Sequence, residues 1–334
     1  LKAARDAVSI RETLRGNPRK KAEAYEALAD LTTRRGFRQT GDWEEAMAAY
    51  GSAAAAWGQA ENAATDRAAN LMKMGDAMRA AGRPGALDKY RGAVALLGAS
   101  GVLQHQALAA GLARRIGEAL TEQGDLSGAR VSLTKAIELS TYVAQESPAS
   151  VEAWREVSLG LASLATLSER EGKPLDAAAE LRRSAQTLES ILARDPANHG
   201  IEAEFAASLT RLGAVFMRAG LPNQAKASTA RGLALMKEMA RRPGAASDDV
   251  ARAANCLLSC EPKAFRDPQG AAAIVEEAIA ASESPDPEML ELLSNAYYQA
   301  GHNDEGRAAA MRALSLQPTG SLARQRLEKR VAGQ

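Results

Sequence analysis

Small and apolar residues return along this chain in step with a polar turn. The turn Gly41-Asp42-Trp43-Glu44-Glu45-Ala46 recurs as Gly124-Asp125-Leu126-Ser127-Gly128-Ala129 and as Gly172-Lys173-Pro174-Leu175-Asp176-Ala177. It returns as Gly220-Leu221-Pro222-Asn223-Gln224-Ala225 and Gly301-His302-Asn303-Asp304-Glu305-Gly306. A shorter copy is Gly82-Arg83-Pro84-Gly85-Ala86, and a diverged one is Arg266-Asp267-Pro268-Gln269-Gly270-Ala271. From Ala46 to Gly306 the copies step by 35 to 48 residues, and self-similarity at that period marks stacked supersecondary units. Before the turns stand Met74-Gly75-x-x-Met78, Ile116-Gly117-x-x-Leu120 and Leu212-Gly213-x-x-Phe216; after them stand Ala46…Tyr50…Ala53, Ala86…Tyr90…Ala93 and Ala129…Leu133…Ala136. Residues three and four apart share one helical face. The small ones mark close helix crossings, and the large one between them fills the gap. Seven such turns predict seven helical hairpins.

Proline placement agrees. Pro84, Pro174, Pro222 and Pro268 fall two residues past the turn position, near the start of a second helix, where the missing N–H costs nothing. Pro18, Pro148, Pro196, Pro243, Pro285 and Pro318 follow second helices, where proline stops a helix. Pro287 can open a first helix, and Pro262 falls in the diverged loop. The hairpins are expected at 22–58, 63–98, 104–146, 150–195, 199–242, 247–284 and 286–317, within a repeat region of 19–319. Residues 1–18 read as a helix from a truncated preceding repeat, and 320–334 as a C-terminal capping helix rich in charge, with Arg324, Arg326, Glu328, Lys329 and Arg330. A start at Leu1, inside a repeat, is expected of a C-terminal piece of a longer protein.

The last unit, Leu293-Ser294-Asn295-Ala296-Tyr297-Tyr298-Gln299-Ala300-Gly301 with Ala313, Leu314 and Pro318 downstream, resembles the tetratricopeptide repeat. The resemblance implies an all-α, right-handed superhelical solenoid of about seven hairpins. Steps beyond the 34 residues of that repeat imply elongated middle hairpins. It also implies that first helices line a concave groove, where ligands of this family lie as extended or helical peptides. The long repeats, with Leu257-Leu258-Ser259-Cys260-Glu261-Pro262 and Arg266-Asp267-Pro268, look like C-terminal arrays of large bacterial signalling proteins such as serine/threonine kinases. No kinase motif is present here, so catalysis is expected only of a preceding part of such a parent.

Composition narrows the classes. Aromatics make up 4% of the chain and hydrophobic residues 46%, with alanine in excess, which suits close helix contacts more than a sheet core. Forty-two basic and 41 acidic residues give a net charge of +1, which disfavours a nucleic-acid partner. No apolar run approaches the roughly 18 residues of a membrane span, so membrane insertion is not expected. Two cysteines exclude a disulfide framework and a four-cysteine zinc site. A cytoplasmic setting follows, or an extracytoplasmic one where a parent carries a preceding span.

Chemistry offers little. Phosphate loops, paired histidines and a nucleophile elbow are missing. His105, His199 and His302 lie apart in the repeat register, and Trp43, Trp57 and Trp154 read as packing residues. Cys256 and Cys260 share a helical face, as a packed pair or as a two-ligand metal or redox site. No catalytic residue, metal or cofactor is expected. The inward positions carry Arg35, Arg38, Lys73, Arg79, Arg114, Arg115, Arg170, Arg211 and Arg218, against Asp76, Glu118, Glu122 and Glu169. The groove is thus expected to lean positive and to bind a protein or peptide segment, acidic if the arginine forks meet carboxylates, or else to be a solvated face. Asn295 and Tyr298 are expected to face the groove, with Tyr297 packed, and Glu288 and Glu291 make that end acidic. Self-assembly through the ends or convex face, and a small-ligand or peptide sensor with an aromatic pocket, are the alternatives.

Overall fold

The computed structural model describes residues 5–6, 8–9, 17–34, 42–98, 100–282, 284, 286–317 and 322–331. These contain helices and turns, with no strand among them. They fall into two compact units, residues 1–163 and 164–334.

The first unit holds α1 (Pro18–Arg34), α2 (Asp42–Gly58), α3 (Ala64–Ala80), α4 (Ala86–Leu97), α5 (Leu103–Gln123) and α6 (Leu126–Glu146). The boundary falls within α7 (Val151–Arg170). The second unit continues with α8 (Pro174–Leu192), α9 (His199–Arg218), α10 (Pro222–Ala240), α11 (Ser247–Ser259), α12 (Pro268–Ala280), α13 (Pro287–Ala300), α14 (Asn303–Leu316) and α15 (Leu322–Val331). A 3-10 turn, Lys263–Phe265, separates α11 from α12. Helices α5 and α6 are 21 residues long, whereas α13 and α14 are 14. The elongation therefore sits in the middle of the chain.

The recurring glycine turn has one mechanism. At Gly124, φ is +86°, a left-handed conformation that glycine adopts without Cβ strain. The next amide, Asp125 N–H, then reaches back to the Leu120 carbonyl at 3.0 Å, closing a C-terminal cap of the Schellman type. The same reach-back joins Arg83 to Met78, Lys173 to Ser168, Leu221 to Phe216 and His302 to Tyr297, at 2.8–2.9 Å. A polar turn pattern thus becomes a fixed reversal between antiparallel helices.

The small residues set the crossing distance. A Cβ placed on Gly75 would lie 2.5 Å from the Tyr90 ring, and one on Gly117 would lie 2.5 Å from Leu133 Cγ. At Gly213 the neighbour is Thr229 Oγ1, 2.0 Å from such a Cβ. Tyr50, Tyr90 and Leu133 are almost completely buried, flanked by Ala46, Ala53, Ala93, Ala129 and Ala136. Close packing at native density leaves no slack there for added methyl groups.

Prolines mark helix starts with one departure from expectation. Pro174, Pro222, Pro268 and Pro287 do open α8, α10, α12 and α13. Pro84 lies outside α4, because Gly85 at φ +99° interrupts the helical path ahead of Ala86. Pro18 opens α1, where the Asn17 side chain accepts from Arg19 N–H at 2.9 Å and caps the start; the residues ahead of it, 10–16, lie outside the described ones. At the far end α15 buries Leu327 against Leu290, Ala310 and Ala313, covering apolar surface that a last repeat would expose. Much of the expected N-terminal helix lies outside the described residues. Of it, Arg5 forms a two-pronged pair with Glu45, and Val8 packs against the first hairpin.

Candidate functional site

The first helices of the first unit are joined by ion pairs spaced one repeat apart. Lys73 of α3 donates to Glu26 and Asp30 of α1, each at 3.0 Å. Arg79 of α3 reaches Glu118 at 2.8 Å and Glu122 at 2.6 Å on α5. Arg115 of α5 returns to Asp76 of α3 at 2.7 Å, and Arg114 bonds Glu156 of α7 at 2.5 Å and its own-helix Glu118 at 2.7 Å. Corresponding faces of α1, α3, α5 and α7 therefore line one surface. A depression of about 410 Å³ in it is bounded by Asp76, Arg79, Ala80, Arg114, Arg115, Glu118 and Glu122. Three cations there face three carboxylates.

Glu118 is the pivot. It accepts from Arg79, Arg114 and the Ser163 hydroxyl, the last at 2.7 Å. Burial alone would raise its carboxyl pKa, but Arg114, Ser163 and Arg79 outweigh burial and hold it below the ordinary range. Arg114 is opposed by burial too, and Glu156 and Glu118 raise it nonetheless. Second helices join the network. The Tyr90 hydroxyl donates to Asp76, and the Tyr50 hydroxyl to Asp30, both at 2.8 Å. Burial and then the carboxylate contacts raise both phenols. A packing tyrosine from one helix thus orients the carboxylate that receives a cation from the next hairpin.

The expected positive groove is accordingly corrected. Lys73, Arg79, Arg114 and Arg115 each meet a carboxylate on a neighbouring first helix, among them Glu26, Asp30 and Glu156, which were not among the expected inward positions. In the second unit, Arg211 bonds Thr166 at 2.6 Å and Glu169 at 3.3 Å, and Arg218 bonds Glu169 at 2.7 Å. Arg170 is exposed at the end of α7 and also has an interaction. Arg35 and Arg38 lie outside the described residues. The missed signal was periodic: these pairs join residues 39 to 49 apart, about one repeat.

A different surface lies in the second unit, between α11 and α13. Ser247, Asp248, Ala251 and Asn255 follow one face of α11; Glu288, Met289, Glu291, Leu292 and Asn295 follow one face of α13, with Asp286 at its start. They enclose a groove of about 380 Å³. Four of its lining side chains are carboxylates and none is a lysine or arginine. Asn295 therefore does line a groove. Tyr298 instead lies against Gly306 of α14, where an added Cβ would meet its ring at 3.1 Å. Tyr297 donates its hydroxyl to Glu276 of α12, which raises that phenol to about 12. Tyr297 thus packs against the second unit's apolar core, whereas Tyr298 is seated beside Gly306, whose bare Cα leaves room for its ring.

A third depression, about 470 Å³, lies between the Arg241–Ala245 turn and α12. No aromatic ring lines any of the three. The tryptophans do not converge: Trp57 donates to Glu26 under Arg19, Trp43 lies under Arg83, and Trp154 donates to the Pro148 carbonyl. His105 bonds Thr65, His199 lies beside Arg242, and His302 lies near Gln269. No group of three or more metal-ligating side chains occurs among the described residues, and no described helix is long and apolar enough to cross a membrane.

Residues 287–319 match the tetratricopeptide repeat family model. No curated protein matches the chain. Among solved structures, BtubC (BKLC) from P. vanneervenii is similar at 17% identity and a TM-score of 0.56, over 72% of this chain and 90% of that one. The apo form of RapI is similar at 12% identity and a TM-score of 0.54, over 92% and 99%. Aspartyl phosphate phosphatase F from Bacillus subtilis is similar at 10% identity and a TM-score of 0.54, over 95% and 75%. At these identities the likeness is one of fold: tandem helical hairpins.

Proposed function

We propose that this chain is a non-catalytic interaction module that binds a protein or peptide segment along its first-helix faces. The observation that carries the reading is the α11/α13 groove. Asp248, Asp286, Glu288 and Glu291 line it beside Ala251, Met289 and Leu292, and no cation does. A segment that alternates lysine or arginine with apolar residues complements such a wall, since opposed potentials steer encounter and set register. An acidic segment has less support, because the first unit's groove cations already serve carboxylates of their own chain. A regulatory or scaffold role within a larger bacterial signalling protein belongs to the same proposal and rests on the repeat resemblance.

Fluorescence anisotropy tests this with two labelled peptides of equal length, one alternating lysine with leucine and one alternating glutamate with leucine. Saturable binding of the first, lost in Asp248→Lys/Glu288→Lys while helicity is kept, is the expected result. Preference for the acidic peptide, or binding indifferent to those substitutions, would sink the proposal.

A further inference from the structure

The remaining chemistry of the second unit lies at the end of α11. Cys256 is in its last turn, and Cys260 is the first residue beyond it, at φ −63° and ψ 157°. The Cys260 N–H still bonds the Cys256 carbonyl at 2.8 Å, so the helix places the two residues one turn apart on one face. That geometry sets their Cα atoms about 6 Å apart, inside the roughly 4.4–6.8 Å span of disulfides, and their Cβ atoms about 5–6 Å apart, beyond the roughly 3.5–4.5 Å of a closed bond, so closure has to open the last turn of α11. Both thiols are free and partly exposed. Cys256 packs at the edge of the apolar core around Leu257 and Ala254, while Cys260 begins the turn toward α12.

We propose that Cys256 and Cys260 form a redox-active dithiol, with Cys260 as the attacking thiolate and a low-molecular-weight disulfide as the oxidant. The Cys260 thiolate attacks one sulfur of the oxidant; a protein–small-molecule disulfide forms and one small thiolate leaves. Cys256 then releases its proton to solvent, and its sulfur attacks that of Cys260. The second small thiolate leaves and the internal disulfide remains. Two protein thiols are oxidised by two electrons, and one external disulfide is reduced to two thiols.

Direction follows from the surroundings. Cys260 accepts a hydrogen bond from the Cys256 thiol and lies near the Arg266 guanidinium, which bring it down to about 7 against the cost of burial. Cys256 is driven the other way by the same bond and by burial, which suits a resolving thiol. A metal is less well served, since two sulfurs alone do not complete a site, and the adjacent Glu261 pairs with Arg266 at 2.5 Å. The turn is also tied down around the pair. Arg266 Nε donates to the Cys260 carbonyl at 3.0 Å, Thr229 of α10 donates to the Glu261 carbonyl at 2.7 Å, and Asp267 N–H donates to the Leu257 carbonyl at 2.8 Å. Closing the disulfide draws on the one residue that has left the helix, so oxidation acts on the joint between α11 and α12.

The test incubates the reduced full chain with glutathione disulfide near neutral pH and maps the products by mass spectrometry. Wild type is expected to lose two hydrogens at the Cys256–Cys260 peptide and to retain no glutathione. Cys256→Ser should hold one glutathione on Cys260, and Cys260→Ser should react at least tenfold more slowly. Alkylation of Cys260 by iodoacetamide should show an inflection near pH 7 that moves upward in Cys256→Ala. This second measurement needs no disulfide to form, and circular dichroism confirms that each variant is folded. Glutathione kept on both cysteines of wild type, equal rates for the two single variants, or an unchanged inflection would overturn the assignment.

Discussion

The depression of the first unit and the groove of the second are both built from faces of first helices, yet the charges that line them differ. In the first, Arg79, Arg114 and Arg115 meet Asp76, Glu118 and Glu122 across adjacent hairpins. In the second, Asp248, Asp286, Glu288 and Glu291 line the wall without a cation among them. Faces of first helices can therefore gather both signs of charge around one depression or carboxylates alone along a groove.

The largest expected difference is in stability. Glu118→Ala removes the carboxylate shared by two arginines and leaves Arg114, 9% exposed, one partner short. Breaking such a partly buried pair should cost about 3 kcal/mol in urea denaturation. Asp248→Ala, at an exposed position of the groove, should change stability by less than about 0.5 kcal/mol. Equal losses would erase the distinction between an internal tie and a recognition surface.

Affinity should show the reverse order. Asp248→Asn with Glu288→Gln should weaken the lysine–leucine peptide about tenfold, roughly 1.4 kcal/mol, and added salt should weaken wild-type binding further. Glu118→Gln should leave that affinity within about twofold, as read by titration under identical salt. A larger loss in the Glu118 variant would place the binding surface in the first unit.

Acid separates the two surfaces more finely. Because the folded Glu118 pKa is depressed, its contribution is complete above the unfolded value of about 4.3 and is lost as pH falls through the lower folded value. Thermal melts should thus be insensitive to this group between about pH 5 and 8 and fall below about 4.3. In Glu118→Gln, that part of the acid limb should flatten. The smallest effect is expected at Arg231 and Glu189, which pair at 2.5 Å with both side chains about half exposed. Arg231→Ala should cost under about 0.5 kcal/mol, and more than about 1.5 kcal/mol would mean that exposed pairs hold this fold as firmly as buried ones.

The hairpins were legible because their determinants are local. Gly124 needs a left-handed φ, and Gly75 and Gly117 need the absence of a Cβ, so each leaves a residue-type signature that recurs with the repeat. Pro84 was misread where a neighbour intervened, since Gly85 breaks the helical path ahead of Ala86. The charged face was legible only in part. Glu26, Asp30 and Glu156 became visible once one-repeat separation brought them to Lys73 and Arg114. The place of Tyr298 turned on the bare Cα of Gly306, a contact across a hairpin that its own helix does not reveal.

The amino-acid order by itself determined an all-helical array, its turns and its long middle hairpins, because helix propensity, capping and small-residue spacing act within a few tens of residues. Tertiary structure alone decided which charges neutralise one another and which line a groove together. Coulomb attraction and hydrogen bonding depend on distances and directions between neighbouring hairpins, and those are set only when the helices pack.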